Sequence, residues 1–231
     1  MNASATRRFK RTLAEFAAPA LIASTLLAGP ATSTAEAPKI ASLQQAGRLL
    51  EHPDPLVRGS AIVWLAQHGR ERDAPMLAPR LRDDSPEVRA LTEQAMWRMW
   101  NRSGDREVDK LQAIGSRQIS GGEFDQAIAT FTEVIRRKPD FAEGWNKRAT
   151  VYFMAGQLQK SLADCDEVVK RNGLHFGALS GYGQIYFQLG EYEKALEYFR
   201  RALEVNPNMD GVQNNIRGLE RLIEVKQRNS T

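Results

Sequence analysis

The chain reads VDKLQAIGSRQISGGEFDQAIATFTEVIRRKPDF over residues 108–141, AEGWNKRATVYFMAGQLQKSLADCDEVVKRNGLH over 142–175 and FGALSGYGQIYFQLGEYEKALEYFRRALEVNPNM over 176–209. These segments are three consecutive copies of one 34-residue unit. Similar residues recur at eight positions of the unit, which a chance apolar periodicity does not explain. The aligned sets are Leu111, Trp145 and Leu179; Gly115, Ala149 and Gly183; Gln118, Tyr152 and Tyr186; Gly122, Gly156 and Gly190; Ala127, Ser161 and Ala195; Phe131, Cys165 and Phe199; Val134, Val168 and Ala202; and Pro139, Gly173 and Pro207.

Each of these columns has a physical role in a pair of antiparallel helices. The series Gly122, Gly156 and Gly190 predicts a turn with positive φ after the first helix of each copy. Two columns of small residues predict the points where the paired helices cross. A glycine inside a helix costs about 0.5–1 kcal/mol relative to alanine, so close packing must offset it there. Pro139 and Pro207 end the second helix and direct the chain into the next unit.

The pattern resembles the tetratricopeptide repeat, a helix–turn–helix unit of the same period. The resemblance implies an all-α fold, an α-solenoid of stacked antiparallel helix pairs, with a concave groove lined by the first helix of each unit. It also implies that a peptide segment of a partner protein binds in that groove. The residues that the pattern assigns to the groove are Gln112, Ser116, Asn146, Lys147, Thr150, Phe153, Gly177, Ser180, Gly181, Gln184 and Phe187.

The groove departs from the pattern of the family members that bind chaperone tails. Those proteins hold a terminal carboxylate with a clamp of Lys, Asn and Arg, and only Lys147 keeps a cation at the corresponding positions here. This difference disfavours an Hsp70/Hsp90 adaptor. The small Gly177-Ser180-Gly181 face would let a partner's backbone approach closely. Phe153 and Phe187 either contact that partner or pack within their own units.

A second, weaker repeat precedes the three copies, within residues 38–104. Pro55-Leu56-Val57-Arg58 recurs 31 residues later as Pro86-Glu87-Val88-Arg89. Asp54 and Ser85 precede the prolines and are predicted helix N-caps. This helix start is similar to short HEAT-like repeats, of the kind also found in bilin lyases. The resulting expectation is a HEAT-like half that extends the binding surface or carries a second contact.

Three further elements of this half follow from residue spacing. A first helix is predicted over residues 39–51, and Ala74, Met76, Leu77 and Leu81 suit the second helix of a pair. Arg58 and Arg89 either reach the acidic turn Asp83-Asp84 or are two solvated surface arginines. The cluster Trp64, Met96, Trp97, Met99 and Trp100 is either an aromatic binding site or the packed junction between the two repeat types. The spacing of Trp97 and Trp100 on one helical face favours the junction.

Residues 1–37 have the layout of a secretory signal peptide. Arg7, Arg8, Lys10 and Arg11 precede an apolar run of 14 residues from Phe16 to Gly29, and small residues follow. That run is shorter than the roughly 20 residues that span a bilayer, so we expect no stable membrane span in the mature chain. The domains predicted are then 1–37 as leader, 38–104 as HEAT-like repeats, 105–209 as three tetratricopeptide repeats and 210–231 as a C-terminal capping helix and tail. A mitochondrial or other organelle transit peptide is the alternative for the leader.

The chain shows no constellation of residues that carries chemistry. Its one cysteine, Cys165, aligns with core positions, and His52, His68 and His175 are far apart at predicted helix ends. Neither a phosphate-binding glycine loop nor a nucleophile elbow is present. Outside residues 1–35 there are 28 basic and 27 acidic residues, a balance that argues against a nucleic-acid surface. We therefore predict no cofactor, no metal and no enzymatic activity.

These expectations combine into one function with two alternatives. The sequence predicts a non-catalytic scaffold in the bacterial envelope, periplasmic or secreted, that binds a protein or peptide partner in the repeat groove. The first alternative is a lyase-like or cofactor-assembly factor, which rests on the HEAT-like resemblance alone. The second is an organelle-targeted assembly factor. The oligomeric state is left open.

Overall fold

The computed structural model describes residues 38–228, and that range is helical without a strand. The predicted leader, residues 1–37, lies outside the described residues. The elements are α1 Leu43–Leu49, α2 Pro55–His68, a 3-10 segment Glu71–Arg82, α3 Pro86–Trp100, α4 Arg106–Ser120, α5 Phe124–Arg137, α6 Ala142–Met154, α7 Leu158–Arg171, α8 Phe176–Gln188, α9 Tyr192–Val205 and α10 Asp210–Arg228. The predicted all-α solenoid is thereby confirmed.

The three 34-residue copies form the helix pairs α4–α5, α6–α7 and α8–α9. The turn glycines Gly122, Gly156 and Gly190 have φ of 74°, 73° and 77°, as the recurrence of glycine predicts. Where the paired helices cross, Gly183 lies against the ring of Phe199, and a Cβ built on that glycine would be 2.5 Å from Cδ1 of the ring. The predicted final helix is also present as α10, which covers Phe199 and Ala195 with Val212 and Leu219.

The start of each HEAT-like unit is as the sequence predicts. Asp54 caps α2 by accepting from the Leu56 amide, and Ser85 caps α3 by accepting from the Val88 amide. Arg58 is buried and reaches the acidic turn: its Nε and Nη2 donate to the two carboxylate oxygens of Asp83 at 2.8 and 2.6 Å. Arg89 contacts the same turn through the main-chain oxygen of Asp83.

One element of this half differs from the prediction. The segment around Ala74, Leu77 and Leu81 is a 3-10 helix and not the second α-helix of a pair. Pro75 and Pro79 lie inside it, and each removes a backbone N–H that an α-helix needs. The apolar residues are nevertheless buried as expected, because a 3-10 turn also brings residues three apart to one side.

The HEAT-like half, residues 38–104, lies along the edge of the repeats where one copy passes into the next. It contacts both inter-copy connections and the connection from the third copy to α10. Lys138 Nζ donates to the main-chain oxygen of Ser103, Phe176 packs in the HEAT-like core, and Asn208 Nδ2 donates to the main-chain oxygen of Leu81 at 2.7 Å. The two halves therefore share one hydrophobic core at this edge.

The tryptophan cluster divides between two places. Trp97 and Trp100 form the packed junction that their spacing favours, with ring centroids 5.3 and 5.0 Å from that of Phe176. Trp64 lies apart from them and stacks on His68 at 4.6 Å. The aromatic residues of the junction are thus part of the core between the halves.

Candidate peptide-binding face

The first helices α4, α6 and α8 place equivalent residues of the three copies on one face. Helix α6 contacts both the preceding helix α5 and the next first helix, α8. Residues four apart lie on the same side of a helix. Three such pairs point away from the core, and we call them the open strip: Ser116 and Ser120, Thr150 and Met154, Gln184 and Gln188.

The open strip carries no charge. Met154 is 47% exposed, whereas Gln184 is partly buried and Gln188 is exposed. The Ser120 hydroxyl donates to the Ser116 main-chain oxygen at 3.1 Å, and the Thr150 hydroxyl donates to the Asn146 main-chain oxygen at 2.9 Å. Because the protons of these hydroxyls are used inside their helices, their oxygens face outward as acceptors.

Five of the eleven predicted groove residues are held inside the protein at the beginnings of the first helices. Gln112 is 8% exposed and donates to the main-chain oxygen of Asn101 at 3.2 Å. Asn146 and Lys147 both contact the Glu143 carboxylate, at 3.0 and 3.2 Å. Ser180 is fully buried, and Gly177 lies against Trp97. These residues present little surface to a partner.

The remaining predicted residues lie between these two groups. Phe153 packs with Cys165 and Ile185 at the junction of the second and third copies. Phe187 packs in the next cluster, with its ring centroid 5.8 Å from that of Tyr192. Both rings are partly buried, so packing within the repeats accounts for most of their contacts. A Cβ built on Gly181 would be 3.9 Å from the Cys165 sulfur, an ordinary contact.

A buried charged network closes the beginnings of the first helices. Glu143 and His175 are both fully buried, and His175 Nε2 is 3.0 Å from Glu143 Oε2. His175 Nδ1 accepts from the Ala178 amide at 3.0 Å, so the proton of the neutral ring is on Nε2 and donates to Glu143. Burial alone would raise the pKa of Glu143, but Lys147 and then His175 hold that pKa below its usual value. The ammonium group of Lys147 is therefore paired with the buried Glu143 carboxylate.

The HEAT-like half covers this network. Trp100, which is 1% exposed, stacks on the His175 ring with centroids 4.7 Å apart. A Cβ on Gly177 would collide with the Trp97 ring. On the first copy, Asp109 Oδ1 accepts from the Ser103 amide at 3.0 Å. We call Trp97, Trp100, Asn101 and Ser103 the wall.

The sequence favoured Trp97 and Trp100 as a packed junction, but it did not predict that the wall covers the predicted groove residues. The second position of each copy holds Asp109, Glu143 and Gly177, a column that varies too much to be singled out as a repeat position. Its one signal is the loss of a side chain at Gly177, where the other copies have acids. In the structure all three residues contact the HEAT-like half or the network beneath it.

A separate apolar groove of about 600 Å³ lies in the HEAT-like half. Its lining includes Pro55, Leu56, Val63, Trp64 and Leu91, and Leu56 is 79% exposed. None of the predicted groove residues contributes to it. Among the residues that the structure describes, no cluster of three or more His, Cys, Asp or Glu side chains is placed to hold a metal. No helix in residues 38–228 has the length and hydropathy of a bilayer span.

Family models match both halves of the chain. Residues 113–173 and 178–209 match models of the tetratricopeptide repeat, and residues 14–97 match a model of HEAT repeats. The HEAT match thus begins inside the predicted leader. These matches agree with the repeats read from the 34-residue and 31-residue periods.

Similar proteins match about half of this chain. A TPR repeat-containing protein of Rhizobium etli is 34% identical over 108 residues, which cover 47% of this chain and 53% of that protein. Hsp70-Hsp90 organizing protein 1 of Glycine max is 27% identical over 110 residues, 46% of this chain and 19% of that protein. The chain thus spans about half of the first relative and about a fifth of the second.

Solved structures show the same fold over the repeats. The first TPR domain of human RPAP3 has a TM-score of 0.50 and 26% identity, and the match covers 52% of this chain and 95% of that one. The Sgt2 TPR domain from Aspergillus fumigatus has a TM-score of 0.52 and 24% identity, with 55% and 85% covered.

Proposed function

Since residues 108–209 are three tetratricopeptide repeats behind a HEAT-like half, we propose that this protein is a non-catalytic scaffold that binds a peptide segment of a partner protein on the open strip. The observation that carries this proposal is the recurrence of uncharged, outward-facing side chains at equivalent positions of all three first helices, five of them exposed and Gln184 partly buried. A core position would be buried in each copy, and a purely solvated face would be rich in charge.

The properties of the open strip suit a protein segment. Its hydroxyl oxygens and its glutamine amides match the hydrogen-bonding groups of an extended backbone, and Met154 offers an adaptable apolar contact. Among the described residues the side-chain amide of Gln184 has no hydrogen-bond partner, so it can pair with a bound segment. Similar repeats occur in a protein named for organising two chaperones, which supports a protein partner.

Two matched substitutions test this assignment. Gln184→Arg places a bulky cation on the open strip, whereas Gln126→Arg makes the same change at an exposed position of α5. Peptides are selected on the purified protein from a displayed library, and their affinities are measured by fluorescence anisotropy. We expect Gln184→Arg to weaken binding about tenfold or more and Gln126→Arg to change it by less than about twofold. Equal effects of the two changes would contradict the proposal.

The bacterial envelope is the proposed location, on the evidence of the leader-like residues 1–37. The basic residues, the apolar run and the small residues after it support export. N-terminal sequencing of the protein isolated from its native cells tests this. A start near Glu36 in the periplasmic fraction is the expected result, and an intact N-terminus in the cytosolic fraction would refute it.

A further inference from the structure

The wall determines which part of a partner the repeat face accepts. We infer that it permanently closes the end of the face where the first helices begin, so that the site takes an internal, uncharged segment of a partner and rejects a terminal carboxylate. This inference rests on the proposed function and specifies the chemistry of its ligand. It is argued from the packing of the wall, the state of Lys147 and the acceptors of the open strip.

The wall is anchored on each side of the face. Trp97 and Trp100 pack on His175, the last residue of the second copy, and on Phe176, the first residue of the third. Asn101 and Ser103 bond to Gln112 and Asp109 of the first copy. Arg82 adds a contact to the main-chain oxygen of Val205 at 3.3 Å. A segment held at several points on all three copies does not leave as a flexible lid would, because each contact restrains the others.

The wall also has no room beneath it for a ligand. The Trp97 ring occupies the space that a side chain at position 177 would fill. Ser180, one turn further along α8, is completely buried. A partner therefore has little access to the N-terminal halves of the first helices, where Gln112, Lys147 and Gly177 are located.

The charge of Lys147 is used inside the protein. Its Nζ is 3.2 Å from Oε1 of Glu143, and its side chain is 26% exposed against none for the carboxylate. Releasing Lys147 to a ligand would leave a buried, negatively charged group without its cation, which is strongly unfavourable. The only cation among the eleven predicted groove residues is thus unavailable to a partner's carboxylate.

The open strip disfavours carboxylates for a second reason. The hydroxyls of Ser120 and Thr150 donate to main-chain oxygens of their own helices and so face outward as acceptors. An ionised carboxylate is itself only an acceptor, so bringing it against the Ser120 or Thr150 oxygen leaves both groups without a proton, whereas the Gln184 and Gln188 amides carry donors as well as acceptors. A backbone N–H or a carboxamide supplies the missing donor. An uncharged internal segment, with amide side chains or exposed backbone, is the matching partner.

The test uses peptides selected from two displayed libraries, one with internal segments and one with free C-termini. The best binder is synthesised as the free acid and as the C-terminal amide, and each of its residues is replaced in turn by Asn and by the isosteric Asp. We expect the acid and the amide to bind within about threefold of each other. At positions that contact Ser120 or Thr150, Asp should bind about tenfold more weakly than Asn.

The same inference is tested by changing the protein instead of the peptide. Gln184→Lys adds a free cation to the open strip and should recover binding of the Asp peptides, whereas Gln126→Lys should not. If amidation abolishes binding, or if Asp binds as well as Asn throughout, this inference is overturned while the scaffold function stands. If neither library yields a binder, the proposed function itself fails.

Discussion

Replacing Gly183 by alanine tests the close crossing of helices on which each repeat depends. A Cβ at this position would be 2.5, 2.6 and 2.8 Å from Cδ1, Cε1 and Cγ of Phe199, about 1 Å inside the normal separation of two carbon atoms. Phe199 is fully buried and packed against α10, so its ring has little room to move. Overpacking of this kind typically costs about 1–3 kcal/mol.

The same substitution at Gly181 supplies the comparison. Gly181 is in the same helix, but its Cβ would be 3.9 Å from the Cys165 sulfur, an ordinary contact. Gly181→Ala should therefore show only the helix propensity of alanine, a gain of up to about 1 kcal/mol. Gly183→Ala has the same gain in helix propensity, but the clash with Phe199 opposes it. The free energies of unfolding of the two variants should therefore differ by about 1–3 kcal/mol.

The second copy contains the compensated form of this change. It has Ala149 where the others have glycine, and Cys165 where they have phenylalanine. The smaller Cys165 leaves room for the methyl group of Ala149, and both are in one buried cluster. We therefore expect Phe199→Cys to be less destabilising in the Gly183→Ala background than alone, with a coupling of about 1 kcal/mol or more.

The measurement is urea unfolding followed by far-UV circular dichroism, with tryptophan fluorescence as a second probe. Coincident transitions from the two probes are needed before free energies are compared. If Gly183→Ala stabilises the protein as much as Gly181→Ala does, the crossing is not as close as described. If the double variant shows no coupling, packing against the large residue at position 199 does not explain why glycine occurs at position 183.

Three further predictions concern ionisable and reactive groups. Arg58→Met should lower the urea midpoint far more than Arg72→Met, because Arg58 is bonded to a buried carboxylate and Arg72 is an exposed arginine; equal shifts would contradict this. Burial raises the pKa of Glu71, so the folded protein binds that proton more readily than the unfolded chain, and stability rises as pH falls through the folded-state pKa. Glu71→Gln should therefore raise the melting temperature at neutral pH and make it rise less on acidification. A lower melting temperature at neutral pH would contradict a raised pKa of Glu71. Burial raises the pKa of the Cys165 thiol, so a maleimide should label it only in denaturant, and rapid labelling of the native protein would count against its core position.

The repeat fold could be predicted because its signals are local. The turn at Gly156 needs positive φ, the crossing at Gly183 needs a missing side chain, and both requirements act within one helix pair. Repetition at a fixed period then turns a weak signal into a strong one. The 3-10 segment was missed for the opposite reason. Its apolar spacing fits an α-helix, while Pro75 and Pro79, which forbid one, were outweighed by that spacing.

The binding face was harder to predict than the fold. The family pattern assigns Gln112 and Ser180 to the groove, and the structure buries both. What buries this end of the face is a segment more than 70 residues away from Ser180 in sequence, namely Asn101, Trp100 and Trp97. No local periodicity reports which face of a solenoid another part of the chain covers. The residues of the open strip, Thr150 and Gln184 among them, remain predictions that the peptide experiments test.

The position of the HEAT-like half has a consequence for how the repeats bind. Stacked repeats contact only their neighbours, so a solenoid bends by small rotations summed over its units. Here the HEAT-like half touches both inter-copy connections, at Lys138 and Phe176, and the connection from the third copy to α10, at Asn208. Changing the curvature of the array would break at least one of these contacts. The spacing between Ser116, Thr150 and Gln184 is therefore fixed before a partner arrives, and a preorganised face loses less conformational entropy on binding than a flexible one.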